Sequence, residues 1–188
     1  PPTTQPPTTQ PPTTQPPTTY PPTSSPILSD SKIIVKNVIG SNSITTNRGL
    51  TILISNIIDN NINTVWWQYA QSVPPYSFTF TFNSVVTINK IILHNVGNML
   101  YDAKRVVLYK NQNYALSDTN YYIQSFDIKQ TNNNYLGSSY GDFSGVNATD
   151  VQSILSLSTP YIGDSITLWL YPNNTSPVLA VREIEFFS

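Results

Sequence analysis

From residue 27 onward, short runs of apolar and β-branched residues alternate with clusters of Asn, Gly, Ser and Pro. The runs fall at Lys32–Ile39, Leu50–Ile58, Tyr76–Phe82, Thr87–Asn95, Arg105–Lys110, Tyr121–Ile128, Val151–Ser158, Ser165–Tyr171 and Val178–Phe187. Within Tyr76–Phe82 the alternation is strict. Tyr76, Phe78, Phe80 and Phe82 share one face, and Ser77, Thr79 and Thr81 share the other. No run sustains a helical period. Many short strands between turn residues predict an all-β fold of eight or so strands in an antiparallel two-sheet sandwich. The phenylalanine row belongs to the core between the sheets.

Residues 1–26 follow another pattern, PPTTQ PPTTQ PPTTQ PPTTY PPTSSP, with eleven of the sixteen prolines and no charge. Such a segment buries too little apolar surface to fold as a globule. Paired prolines favour an extended polyproline II stalk of roughly 80 Å at about 3.1 Å per residue. Two segments are therefore expected, a stalk over 1–26 and a sandwich over 27–188. Pro/Thr-rich composition is that of an O-glycosylated stalk, with Thr3, Thr4, Thr8, Thr9, Thr13, Thr14, Thr18 and Thr19 as acceptors. A plain spacer is the alternative. The start at Pro1, in mid-repeat and without methionine, reads as a processed or cropped chain.

Charge changes the picture by its scarcity. Only 10% of residues are charged and the net charge is −1, against about 25% charged in ordinary globular domains. There is no basic stripe for nucleic acid and no apolar run long enough to span a membrane. The chain has no cysteine, so no disulfide staples it.

Against this background Ile57-Ile58-Asp59-Asn60-Asn61-Ile62-Asn63-Thr64-Val65-Trp66-Trp67 is unusual. A carboxylate, three amides and a hydroxyl crowd one loop before two tryptophans. Calcium takes six to eight hard oxygen ligands, often from one curved loop. Asp59, Asn61 and Thr64 could supply several. One carboxylate is too few, and the only glutamates, Glu183 and Glu185, lie in Val181-Arg182-Glu183-Ile184-Glu185-Phe186-Phe187. A terminal strand beside the loop would bring one of them in. An Asx turn with a capped glutamate is the alternative.

These residues resemble the discoidin or coagulation-factor type C domains and the related galactose-binding-like carbohydrate modules. Asp59…Thr64-Val65-Trp66 is similar to their D-G-x-x-x-T-x-W loop. YSFTFTFNSVVTINKIILHN is similar to their following strand pair, and VREIEFF to their last strand. The resemblance spans about Ser29 to Ser188. It implies a jelly-roll, galactose-binding-like sandwich and a structural calcium held by Asp59, Asn61, Thr64 and Glu183, with carbonyls near Asn56 and Thr64. Asn60 stands where the family has glycine, and asparagine tolerates the left-handed turn. Trp66 matches the family's buried tryptophan.

The resemblance also implies a sugar site at one end of the sandwich. Trp67, Tyr69, Tyr101 and Tyr140 are the ring candidates, with His94 and Arg48 as polar partners. Catalysis is not expected. One histidine, no cysteine, no G-x-S-x-G elbow and two glutamates on one strand offer no catalytic set. Asn147, Asn173 and Asn174 begin N-glycosylation sequons. The composite expectation is a secreted, cell-surface, non-enzymatic glycoprotein that self-assembles into a fibre or coat through stalk-to-sandwich contacts. The alternative is a carbohydrate-binding module from a larger enzyme or adhesin.

Overall fold

The computed structural model describes residues 30–40, 53–68, 75–97, 101–110, 120–129, 151–172 and 178–188, together with Pro1. Apart from Pro1, the stalk, 1–26, lies outside the described residues. Eight strands are present among them: β1 (Lys32–Ile33), β2 (Val35–Gly40), β3 (Trp66–Gln68), β4 (Tyr76–Asn95), β5 (Ala103–Lys110), β6 (Tyr122–Asp127), β7 (Val151–Pro172) and β8 (Leu179–Phe187). Every pairing is antiparallel.

Two strands are too long for one layer. β4 has 20 residues and β7 has 22. The first half of β4 pairs with β2 and with the second half of β7, from Tyr76↔Leu170 to Thr81↔Ser165. Its second half pairs with β8 and with the first half of β7, from Lys90↔Ser156 to Asn95↔Val151. The ladder breaks between Thr81 and Val86 and between Ile88 and Lys90, where both strands turn the corner. One layer is β2–β4–β7–β5–β6. The other sets β1 and β3 on β8, then β4 and β7. Pro160, which has no N–H to donate, sits where the ladder is interrupted.

Aromatic rings join the layers. Phe186 of β8 meets Phe80 edge-on at 4.9 Å and Phe82 at 5.4 Å. Trp66 of β3 meets Phe78 at 4.7 Å and Tyr76 at 5.9 Å. The alternating aromatics of β4 are all buried, as their period predicts, and Trp66 is fully buried in the same cluster. Edge-to-face pairs of this kind add to the burial energy.

Among the described residues one predicted strand is absent. The described part of Leu50–Ile58 holds a short 3-10 turn, Ile54–Ile57. Ile54 and Ile57 are three apart, so a turn of three residues puts both against the core. Four predicted strands merged into two, because Asn83–Val86 and Thr159–Asp164 bend the chain without ending the strand. β3 was not predicted as a strand. It forms through β8, with Trp66↔Val181 and Trp67↔Ala180 in register.

Candidate functional site

The Asp59–Thr64 loop is built from side-chain-to-backbone hydrogen bonds. Asp59 Oδ1 accepts from the Asn61 amide at 2.9 Å, and Asn61 Oδ1 accepts from the Asn63 amide at 3.1 Å. Asn60 between them is left-handed, with φ 61, a conformation asparagine adopts more readily than most residues. Asn56 Nδ2 donates to the Val65 carbonyl at 3.2 Å and closes the base of the loop.

Thr64 Oγ1 is the hub. It lies 2.7 Å from the Asn61 carbonyl, 2.8 Å from Asp59 Oδ2 and 3.4 Å from the Asn56 carbonyl. Four oxygens therefore gather in one small volume. The Asn61 side chain is occupied by the Asn63 amide, so its carbonyl, not its amide oxygen, faces this volume. The Asx turns and the oxygen cluster are one and the same loop.

Glu183 reaches the loop because β8 is bulged. Asn95 faces Val181 whereas His94 faces Glu183, leaving Arg182 as one extra residue. Before the bulge Leu179 and Val181 belong to the core; after it Ile184 and Phe186 do. The parity switch turns Glu183 and Glu185 away from the core, as bulges re-aim side chains elsewhere. Arg182, buried at 1% exposure, donates from Nη1 to the Ile62 carbonyl at 2.7 Å and fastens the loop to the strand. Sequence reasoning missed this role of Arg182; its only signal is an arginine inside an apolar terminal strand.

Glu183 is 2% exposed and its Oε2 has no hydrogen-bond partner. Burial, foremost, and the nearby Asp59 charge push its carboxyl up to about 7; the Asn60 amide and Lys32 oppose this. A buried carboxylate oxygen without a donor is costly, and a hard cation would satisfy it. Asp59, Thr64, Glu183 and the carbonyls of Asn56 and Asn61 are all-oxygen donors of the kind calcium takes. These residues could hold such an ion. Among the described residues no three His, Asp or Glu side chains cluster as a metal site, so hydroxyl and carbonyl oxygens make up the set.

Beside it, Lys32 Nζ contacts Asn60 Oδ1 and Glu185 Oε1, each at 2.5 Å. Glu185 Oε2 lies 3.1 Å from His94 Nε2. Burial alone would raise the Glu185 carboxyl, but Lys32 and His94 outweigh it and hold it below the usual range. His94 is 4% exposed, which leaves little of its ring for a sugar. A cleft of ≈ 60 Å³ lined by Lys32, Ile58, Asn60 and Glu183 opens here, room for a few waters.

Of the ring candidates, Trp67 and Tyr101 have neighbouring backbones, and Trp67 packs partly against the core. Trp67 pairs with Ala180 across β3 and β8, and the Tyr101 carbonyl accepts from the Ala180 amide at 2.9 Å. Both are half-buried. Asp102, which sequence reasoning also missed, accepts from the amides of Val96 and Gly97 at 3.0 and 3.2 Å and fixes the end of β4 there. Arg48, Tyr69, Tyr140, the eight threonine acceptors, Asn147, Asn173 and Asn174 lie outside the described residues.

A two-layer antiparallel sandwich whose first long loop is tied to its last strand is the discoidin-like, galactose-binding-like fold, and this chain has it. No family model matches the sequence, and no curated protein is similar enough to count as a relative. Solved structures do match. A family 32 carbohydrate-binding module from C. perfringens NanJ, in complex with galactose, superposes with a TM-score of 0.59 at 10% identity, over 85% of this chain and 100% of that one. Another such module from Clostridium perfringens, in complex with GalNAc-β-1,3-galactose, gives 0.55 at 15% identity, over 84% and 100%. A pectin-binding carbohydrate-binding module gives 0.54 at 16% identity, over 82% and 91%. No helix among the described residues is long and apolar enough to cross a membrane.

Proposed function

We propose that this chain is a non-catalytic carbohydrate-binding module, carried on a Pro/Thr-rich stalk and acting outside the cell. The supporting observation is the match in fold over essentially the whole length of modules solved with galactose and with GalNAc-β-1,3-galactose. Trp67 and Tyr101 supply rings for stacking at the Ala180 end of β8. Arg48, Tyr69 and Tyr140 are further candidates by sequence. The fibre-subunit expectation gains no support from the comparisons, which favour the alternative of a sugar-binding module. The threonine acceptors and the three sequons fit a secreted glycoprotein.

A glycan array tests this reading. Retention on galactose-terminated glycans, weakened at least tenfold by Trp67→Ala, is the expected result. Uniform absence of binding across the array removes it.

Calcium belongs to the same proposal as a structural ion. It would be held by Asp59, Thr64, Glu183 and the carbonyls of Asn56 and Asn61. When bound it supplies positive charge that neutralises two carboxylates and locks the loop to β8. Chelator should lower the melting temperature of the unaltered protein by several degrees and leave Asp59→Ala unaffected. Identical melting of the unaltered protein with and without chelator would exclude a stabilising calcium.

A further inference from the structure

The first half of β7, Val151–Ser158, is the edge of its layer. It pairs with β4 from Lys90↔Ser156 to Asn95↔Val151, whereas β5 pairs only with the second half of β7, from Ile166 to Pro172. Among the described residues no strand pairs along the other side of Val151–Ser158. Burial alternates along it without a break: Leu155 is in the core, and Gln152, Ile154, Ser156 and Ser158 are exposed. In an extended strand, successive residues aim their N–H and C=O groups to opposite sides. The Ser158 amide points away from β4, since it donates to Gln124 Oε1 of β6 at 2.9 Å. Ile154 and Ser156 share its parity, so their N–H and C=O groups face the same open side.

Natural sheet edges are blunted by charge, proline or a bulge. β2, an edge of the other layer, carries the exposed Lys36 and a register shift between Val35 and Asn37. β6, the opposite edge of that layer, ends on the exposed Asp127. Val151–Ser158 has neither device: its sequence, VQSILSLS, holds no charge and no proline. Ile154, in its middle, is 61% exposed. Gln124 guards Ser158 at one end of the strand. A row of outward N–H and C=O groups around an exposed isoleucine is a template for another strand.

The same strand of a second copy fits this edge. Antiparallel pairing about a two-fold axis at Ile154 sets the two Ile154 side chains against each other. It places Ser156 of each copy opposite Gln152 of the other, so each outward N–H meets an outward C=O. The pairing ends at Ser156 and leaves the bond between Ser158 and Gln124 intact. No charge opposes it, because the strand has none and the whole chain carries only −1. The contact is isologous and closes at two copies. A seam of this length lies at the small end of the interface range, so the association is weak and concentration-dependent.

We propose that this chain forms a two-fold dimer through the Val151–Ser158 edge, which joins one layer of each copy into a single sheet. The dimer does not depend on what the module binds. Under the carbohydrate-binding reading it has a consequence. Asn95 pairs with Val151 and Val181, so the Ala180 end of the layer is the Val151 end; Lys90 pairs with Ser156 and Phe187 at the other. A two-fold axis through Ile154 reverses the strands. The Trp67–Tyr101 ends of the two copies then point in opposite directions, and one dimer bridges two glycan chains.

Sedimentation velocity of the 188-residue protein, from about 1 μM to about 1 mM, tests it. The mass of the unaltered protein should rise from 21.0 kDa toward twice that value. Ser156→Pro removes an amide that faces the open side and no bond to β4. Ile154→Lys adds the kind of charge that guards other edges. Each variant should keep the parent's melting temperature and raise the dimer Kd at least tenfold. Should Ser156→Pro not fold, Ile154→Lys, at an exposed position, carries the test alone. An unaltered protein that stays monomeric throughout overturns the inference, and so does a dimer that the folded variants leave unchanged. Growth beyond two copies overturns the two-fold arrangement. Sugar plays no part in the readout, so failure here leaves the carbohydrate reading standing.

Discussion

Glu183 carries the most information of any single residue. A folded-state value of about 7, against 4.5 for an ordinary glutamate, means that folding favours its neutral form. Its contribution to stability is fully present below about pH 4.5 and is lost as pH rises through about 7. The span corresponds to something on the order of 3 kcal/mol. Metal-free protein should therefore melt progressively lower between pH 5 and pH 8, and Glu183→Gln should flatten that slope. The proposed calcium would need the ionised form, so any stabilisation by added calcium should grow over the same interval. A metal-free melting temperature that rises with pH would refute this assignment. Asp59 and Glu183 were legible in the sequence because carboxylates are so few. The bulge at Arg182 was not, since register depends on how β8 pairs with β4, and no local residue signals it.

At the scale of elements, the period-2 row of β4 announced its own burial, and the ring contacts follow from it. The corners were hidden. Asn83–Val86 carries turn-like residues, yet inter-strand hydrogen bonds on both flanks keep the chain extended through it. The turn at Ile54–Ile57 was hidden for a related reason: a short apolar run fits a buried strand and a buried turn equally well. Close approach between strands gives a direct check. A Cβ on Gly40 would fall 2.3 Å from the Ser77 carbonyl oxygen, a backbone atom that can move only with β4. Gly40→Ala should cost about 1–3 kcal/mol and lower the melting temperature by several degrees, read by circular dichroism. An unchanged melting temperature would mean that β2 does not pack against β4 as described.

At the scale of the whole molecule, the start of the described sandwich and the proposed sugar site lie far apart. Ser188 donates its amide to the Ser31 carbonyl at 3.0 Å, Lys32 pairs with Phe187, and Lys90 pairs with Asp30. Residues 30–32 thus lie beside the end of β8. Trp67 and Tyr101 meet at Ala180, seven residues back and so roughly 23 Å away along the strand. Deleting residues 1–26 should leave both the melting temperature and sugar affinity unchanged, measured on the same preparation. A loss of affinity would show that the stalk is part of the binding surface. The sandwich was legible as composition and period. That Tyr101 lies beside Trp67 at Ala180 was not, because twelve tyrosines offer no spacing that selects among them.

The most direct test of the central claim is calorimetric titration of the 188-residue protein with GalNAc-β-1,3-galactose. Saturable binding with a Kd between about 1 μM and 1 mM, reduced at least tenfold by Trp67→Ala, is the predicted result. No heat of binding at millimolar disaccharide, with no rise in melting temperature, would contradict the account.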